Sequence, residues 1–310
     1  MTDIGLSVIV PIYNEEPNIA ELYARITQVL ARMNCSYEII AVDDGSSDRS
    51  LQALLALHHR DSRLRVVQLM RNYGQHPALA AGFSQARGQT VLTIDADLQI
   101  DPSFIPSVVH KVQEGYDFVS GVRKGSGDSF WWRRVPSKIV NALICKVVGK
   151  RLRDYGCPLN AMSCRIARVL TEYGEQQRFF KPLAVSLAEN IAEVDVEYTP
   201  REKGHSKYRF MSLMELFFDF LTNFSRHVFQ KTTVIGVLLT VVTIACGCLY
   251  LLLRFLFPVI DQPMPRMQVL ILFLFIFGLQ LSILGFLGEF VMRTYKNIQH
   301  KPIYSIKNMW

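Results

Sequence analysis

Thr90-Val91-Leu92-Thr93-Ile94-Asp95-Ala96-Asp97-Leu98-Gln99 is a β-rich apolar run that breaks off at two carboxylates. On an extended segment residues i and i+2 face the same way, so Asp95 and Asp97 address one pocket. The pattern recurs upstream. Residues 6–10 run into Tyr13-Asn14-Glu15, residues 38–42 into Asp43-Asp44, and residues 65–69 into Arg71-Asn72. Helical patterns separate these runs. Over residues 17–33, Ile19, Leu22, Ile26, Val29 and Leu30 share one face, with Pro17 in the first turn. Ser47 or Asp48 caps a helix to about residue 59. Pro77 opens a small-residue helix over 78–86, and Pro102 opens one over 102–114. A fifth strand is expected at 117–122, a helix at 136–149 and a further strand at 192–198. Strand–helix alternation with continuous apolar strands predicts an α/β fold, a mostly parallel, Rossmann-like sheet covered on both faces. Ligands of such sheets bind at the C-terminal strand ends, where the polar clusters sit.

The last eighty residues have a different character. Residues 232–253 and 267–288 are two 22-residue runs without a charge. About 20 apolar residues cross a hydrocarbon layer, so both are expected to span a membrane. The expected organisation is a soluble domain over 1–203, an amphipathic juxtamembrane segment over 204–231, two spans at about 232–254 and 267–289, and a basic tail over 291–310. In the amphipathic segment Phe210, Leu213, Met214, Phe217, Phe218 and Leu221 gather on one side, as in an interfacial helix. Arg226, Lys231, Arg293, Lys296, Lys301 and Lys307 flank the outer ends of the spans, against Arg254 and Arg266 at the loop. That bias places both termini in the cytosol, and the absence of a basic n-region before residues 6–10 keeps the first domain there.

The formal charge of +7 suits an anionic lipid or a phosphorylated substrate. It does not point to nucleic acid, because the soluble part lacks a basic surface studded with aromatics. The pair Trp131-Trp132 reads instead as a membrane-edge anchor. Six cysteines show no CxxC or zinc-ligand spacing, which leaves them as reduced structural thiols.

The chemistry follows from the strand ends. An oxygen-rich pair such as Asp95 and Asp97 suits a hard cation, Mg²⁺ or Mn²⁺, with Gln99 as a further candidate ligand. There is no GxxxxGK[ST] loop and no GxGxxG after the first strand, so a metal has to handle any diphosphate. Asp44 is placed to accept hydrogen bonds from a nucleobase or ribose, and Tyr13 to stack on a base. Gln75 and His76 are weaker candidates for contacting substrate.

Residues 8–15 (Val-Ile-Val-Pro-Ile-Tyr-Asn-Glu), 43–48 (Asp-Asp-Gly-Ser-Ser-Asp), 71–75 (Arg-Asn-Tyr-Gly-Gln) and 95–99 (Asp-Ala-Asp-Leu-Gln) together resemble glycosyltransferase family 2 with its GT-A fold. The two spans, ending in Leu284-Gly285-Phe286-Leu287-Gly288-Glu289-Phe290, look like its polyprenyl-phosphate branch. Within that branch, residues 71–76 and Asp154-Tyr155-Gly156-Cys157 look most like the undecaprenyl-phosphate formamido-arabinose transferases. The resemblance implies inverting transfer of a sugar from a UDP-sugar to undecaprenyl phosphate at the cytosolic face of a bacterial inner membrane, for envelope glycan or lipid A modification. It implies nucleotide binding by Pro11, Tyr13, Glu15, Asp44, Asp95 and Ala96, and a divalent metal at Asp95, Asp97 and Gln99. It puts catalytic carboxylates at Asp97 and Asp154, and phosphate contacts at Arg123, Arg201 and Lys207. It also implies a tetramer, with Gly278, Gly285 and Gly288 allowing close helix approach. A glucosyl donor is the alternative. A processive polysaccharide synthase lacks its Gln-x-x-Arg-Trp segment here, and a non-catalytic scaffold would have no use for the metal and nucleotide residues.

Overall fold

The computed structural model describes residues 4–124, 145, 149–173, 180–199, 228–256, 265–298 and 303–310. The expected helix at 136–149, the Trp131-Trp132 anchor, most of the amphipathic segment, and Arg201 and Lys207 lie outside the described residues. Two compact units are formed. One comprises residues 1–213 with 301–310, the other residues 214–300.

The first unit is built on an eight-stranded sheet. Strands β1 (Leu6–Ile12), β2 (Tyr37–Asp43), β3 (Leu64–Leu69), β4 (Thr90–Thr93), β5 (Phe118–Lys124), β6 (Asn160–Ser163), β7 (Ile191–Glu197) and β8 (Ile306–Met309) lie in the order β7-β5-β6-β4-β1-β2-β3-β8. Pairs β1–β2, β1–β4, β2–β3 and β5–β7 are parallel, whereas β6 and β8 run antiparallel to their neighbours. The expected mostly parallel sheet is therefore present. Central strands are buried along their whole length, as β2 is at all seven positions, because helices cover both faces. Helices α1 (Glu16–Arg32), α2 (Ser50–His58) and α4 (Ile105–Gln113) belong to one layer, and Ile19, Leu22, Ile26 and Leu30 of α1 pack with Val8, Val10, Ile39 and Ala41 of the sheet. Helix α3 (Gln75–Gln85) covers β1 and β2, and α5 (Cys164–Thr171) and α6 (Phe180–Leu187) extend its layer.

Strand boundaries fall within about two residues of the sequence expectation, but α3 begins at Gln75 rather than after Pro77. Proline is tolerated there because the first amides of a helix have no partner within it.

Two strands were not expected. Strand β6 starts at Asn160 against Thr93 of β4 and Ser120 of β5. It runs antiparallel, so its start, and with it the loop carrying Asp154, lies at the edge where β4 and β5 end. Strand β8 comes from the segment expected to be a basic tail. Val66 and Trp310 exchange both backbone bonds (3.1 and 2.9 Å), and Met70 N donates to Ser305 O at 2.9 Å. The chain thus leaves the first unit, passes through both apolar helices and returns to complete the sheet.

The second unit holds α7 (Val228–Leu256) and α8 (Pro265–Ile298), which contain both expected spans. They are long and apolar enough to cross a membrane, and most of their side chains face outward, Phe255 with 84% of its surface exposed. In water that surface would be unfavourable; in a lipid layer it is matched. The glycines are used inside this hairpin. A Cβ on Gly285 would lie 2.6 Å from Thr233 N, and one on Gly278 3.0 Å from Thr240 N. Gly288 meets the Phe229 ring in the same way. Within the chain these glycines allow the close approach of α7 and α8. Hydroxyls along the seam bond back to their own helix, as Thr240 Oγ1 does to Gly236 O at 2.8 Å and Ser282 Oγ to Gly278 O at 2.9 Å. Gln230 Nε2 donates to Glu289 Oε1 at 3.2 Å, giving Glu289 the helix-pairing role.

Candidate active site

Strand order reverses direction at β1, which has β2 on one side and β4 on the other. At that switch point the loops diverge and leave a crevice. The cleft there encloses about 290 Å³. Pro11, Ile12, Tyr13 and Glu15 line it from the end of β1, and Asp44 from the end of β2. Asn72, Gly74, Gln75 and Ala78 come from the β3–α3 connection, and Asp95, Ala96 and Asp97 from the end of β4. All six expected nucleotide-binding residues and Asp97 therefore share one cleft. Gln99, Arg123 and Asp154 are not among its lining residues. Asn72, Gly74 and Ala78 were not named as candidates, although Asn72 belongs to a polar cluster at a strand end.

Side chains from one loop tie down the next. Asn14 sits in the left-handed region at φ 56°, and its Oδ1 accepts from Ser47 N at 2.8 Å. Glu15 N donates to Ser50 Oγ at 3.0 Å. Asp48 serves two helix starts, accepting from Ser50 N (2.9 Å) and Glu16 N (3.2 Å). Asp44 is buried, and its two oxygens accept from Tyr73 N and Gly74 N, each at 2.8 Å. Its carboxylate therefore fixes the β3–α3 loop as well as facing the cleft. Burial pushes its pKa up, against the opposing effect of those two bonds. Its neighbour Asp43 is fully buried and likewise pushed up by burial.

Each carboxylate of the DxD pair accepts a bond from a nearby amide. Gln75 Nε2 donates to Asp95 Oδ1 at 2.7 Å, and Gln99 N to Asp97 Oδ1 at 3.2 Å. The Asp95 and Asp97 carboxylates, in a cleft without a histidine or thiol among its lining residues, form an oxygen donor set that fits Mg²⁺ or Mn²⁺. Among the described residues no third acidic, histidine or cysteine ligand joins them. Diphosphate oxygens and water would complete the shell of such an ion, as is usual for Mg²⁺.

A second cluster stands at the same sheet edge, beyond β4. Asp154 Oδ2 accepts from Arg123 Nε at 2.7 Å, and Oδ1 from Arg123 Nη2 at 3.0 Å and Gly156 N at 2.8 Å. The guanidinium also lies over Tyr198, 5.4 Å from the ring centre. Burial alone would raise the Asp154 pKa; the bonds and charge of Arg123, the charge of Lys181 and the Gly156 amide outweigh it and hold the carboxyl below its usual range. Gly156 is required by this packing, since a Cβ there would lie 2.6 Å from Arg123 Nη2. Two bonds join this cluster to the β4 side. Thr93 Oγ1 donates to Pro158 O at 2.9 Å, and Thr199 N to Gln99 O at 2.9 Å.

A Rossmann-like sheet with a crevice at its switch point ending in a carboxylate pair suits a nucleotide-sugar enzyme, and comparison with known proteins agrees. The profile of Glycosyl transferase family 2 matches residues 7–170, more than half of the sequence, and the chain belongs to that family. It is 36% identical over 308 residues to the undecaprenyl-phosphate 4-deoxy-4-formamido-L-arabinose transferase of Shewanella sediminis, covering 98% of this chain and 92% of that one. It is 38% identical over 308 residues to the protein of the same name from Proteus mirabilis, covering 98% and 93%. Among solved structures it is similar in fold to S. aureus TarS 1–349 in complex with UDP-GlcNAc, with TM-score 0.50, 23% identity and coverage of 75% and 71%. It is similar to the same degree (TM-score 0.50, 18% identity, coverage 72% and 80%) to glucosyl-3-phosphoglycerate synthase from Mycobacterium tuberculosis in complex with Mn²⁺, UDP and glucosyl-3-phosphoglycerate.

Proposed function

We propose that this glycosyltransferase moves 4-deoxy-4-formamido-L-arabinose from a UDP donor to undecaprenyl phosphate, on the cytosolic side of a bacterial inner membrane. The observation that carries this reading is the similarity along nearly the whole chain, apolar helices included, to relatives bearing that name. Those names do not favour the glucosyl alternative. The nucleotide lies in the β1–β4 cleft, against Tyr13 and near Asp44, with its diphosphate toward Asp95 and Asp97. Asp95 and Asp97 would hold a divalent cation, whose charge would neutralise the diphosphate.

An acceptor phosphate oxygen attacks the anomeric carbon, the new C–O bond forms on the opposite face, and the bond to the diphosphate breaks, releasing UDP. The acceptor needs little help to become a nucleophile, because its second ionisation has a pKa of about 6. That agrees with the state of Asp154, whose oxygens are engaged by Arg123 and Gly156 and whose pKa is held down. Asp154 therefore orients rather than removes a proton. Arg123, with Arg201 and Lys207, offers positive charge to the phosphates. Assembly as a tetramer rests on family resemblance.

The test is direct. Membranes containing the protein are incubated with undecaprenyl phosphate, Mn²⁺ and a panel of UDP-sugars, and the lipid product is weighed by mass spectrometry. A formamido-pentose adduct is expected. A hexose adduct, or no lipid product with any donor, overturns the assignment.

A further inference from the structure

Lys181 has no part in the reaction as described so far. It lies on α6 with only 3% of its surface exposed, deep behind the Asp154 loop. Its Nζ donates to the carbonyl oxygen of Asp154 at 2.7 Å and of Cys157 at 3.2 Å. Those carbonyls are the two ends of the turn that carries Asp154. From the other side Asn160 Nδ2 also donates to Cys157 O, at 3.1 Å, and so fastens the turn to β6. An ammonium placed among carbonyls holds them by charge-assisted bonds, which are shorter and stronger than neutral ones. It also adds positive charge behind a carboxylate that already grips a guanidinium.

We propose that Lys181 is a positioning residue for sugar transfer: its ammonium pins both ends of the 154–157 turn, and through the Asp154 carboxylate it sets the guanidinium of Arg123 against a substrate phosphate. This rests on the assignment of Arg123 to a phosphate. Burial of an ammonium is costly, and it pushes the Lys181 pKa down to about 8, against the attraction of Cys157, Asp154 and Glu193 and with the repulsion of Arg123. On the other elements packed here, His76 of α3 lies against the neighbouring Phe180 ring (6.1 Å between centres), and Arg165 and Arg168 of α5 face solvent.

A pH signature follows. Above about pH 8 Lys181 loses its proton, the bonds to the two carbonyls lose their charge assistance, and turnover falls. Stability moves the other way. An unfolded lysine keeps its proton to about pH 10.4, so between these values the unfolded chain binds more protons and the folded state gains with pH. The acceptor phosphate, with a second pKa of about 6, is already a dianion there and contributes no alkaline limb.

The experiment measures kcat and KM for the donor from about pH 6 to about pH 10 on the full-length protein in membranes, with thermal stability followed in parallel, for the wild type and Lys181→Met. The wild type is expected to lose turnover with a midpoint near pH 8 without any fall in melting temperature from Lys181, whose titration favours the folded state there. Lys181→Met is expected to lose about tenfold or more in kcat, keep its donor KM and UDP binding, and show no alkaline limb. A wild-type kcat that stays flat across this range overturns the proposal even if the variant does not fold. So does a Lys181→Met enzyme with wild-type kcat or an unchanged limb. Absence of lipid-linked product from the wild type at every pH defeats the parent assignment instead.

Discussion

The two halves of the sheet's C-terminal edge hold their carboxylates in opposite ways. At the β1–β4 end, Asp44, Asp95 and Asp97 take bonds from backbone amides and a side-chain amide, and burial pushes Asp44 and its neighbour Asp43 upward. At the β5–β6 end, Asp154 is gripped by Arg123 with Lys181 close behind, and its pKa is held down despite burial. The first arrangement gathers several carboxylates in one cleft, a donor set that suits a divalent ion. The second neutralises its carboxylate internally and presents a guanidinium. The same residue type is thus pushed up by burial at one end and held down by a guanidinium at the other, and the neighbours decide which.

The largest expected effect comes from removing charge at the first end. Asp97→Asn should lower turnover by about a hundredfold or more, and metal-dependent UDP binding measured by calorimetry should weaken with it. Near-normal binding and turnover would erase the distinction between the two ends. Asp154→Asn is expected to cost less, about tenfold to a hundredfold in kcat, with UDP binding kept, because the amide cannot hold the guanidinium at both of its bonds. Near-normal turnover would remove Asp154 from any essential role. The smallest effect is on stability against pH. Asp43 and Asp44, with raised pKa values, disfavour the folded state when ionised, so their contribution improves as acidification protonates them in the folded protein first. Asp154, with a lowered pKa, and Asp61, lowered to about 2 by Arg63, contribute stability above the unfolded value of about 3.9 and lose it as pH falls toward their folded values. Denaturation curves should therefore show a shallow gain on mild acidification and a loss below about pH 4. An Asp154→Asn protein with the same acid loss as wild type would contradict the second part.

Much of this was legible before any coordinates. The strands over the first 124 residues announce themselves by apolar runs ending in Asp, Asn or Gly, and the cleft residues sit at those ends. Two strands escaped because their pairing is remote and their sequences are short. Residues 160–163 (Asn-Ala-Met-Ser) and 306–309 (Ile-Lys-Asn-Met) carry no β-rich signature, and only partners 240 residues distant, as Asn308 is from Gln68, make the latter a strand. Asp154 was visible through family resemblance rather than from its neighbours. Lys181 was invisible, since a lysine in Phe-Lys-Pro-Leu reads as a surface residue until α6 is folded against the turn it holds.

Strand β8 also imposes an order on biosynthesis. The β3 edge it covers is made early, while residues 306–309 emerge only after both apolar helices. Until then that edge stays open, and an open strand edge can pair with another strand. If both helices cross a bilayer, as their length and apolar character allow, closing the sheet requires the chain to come back to the side it left. The outer strand of the sheet is therefore the last to be put in place.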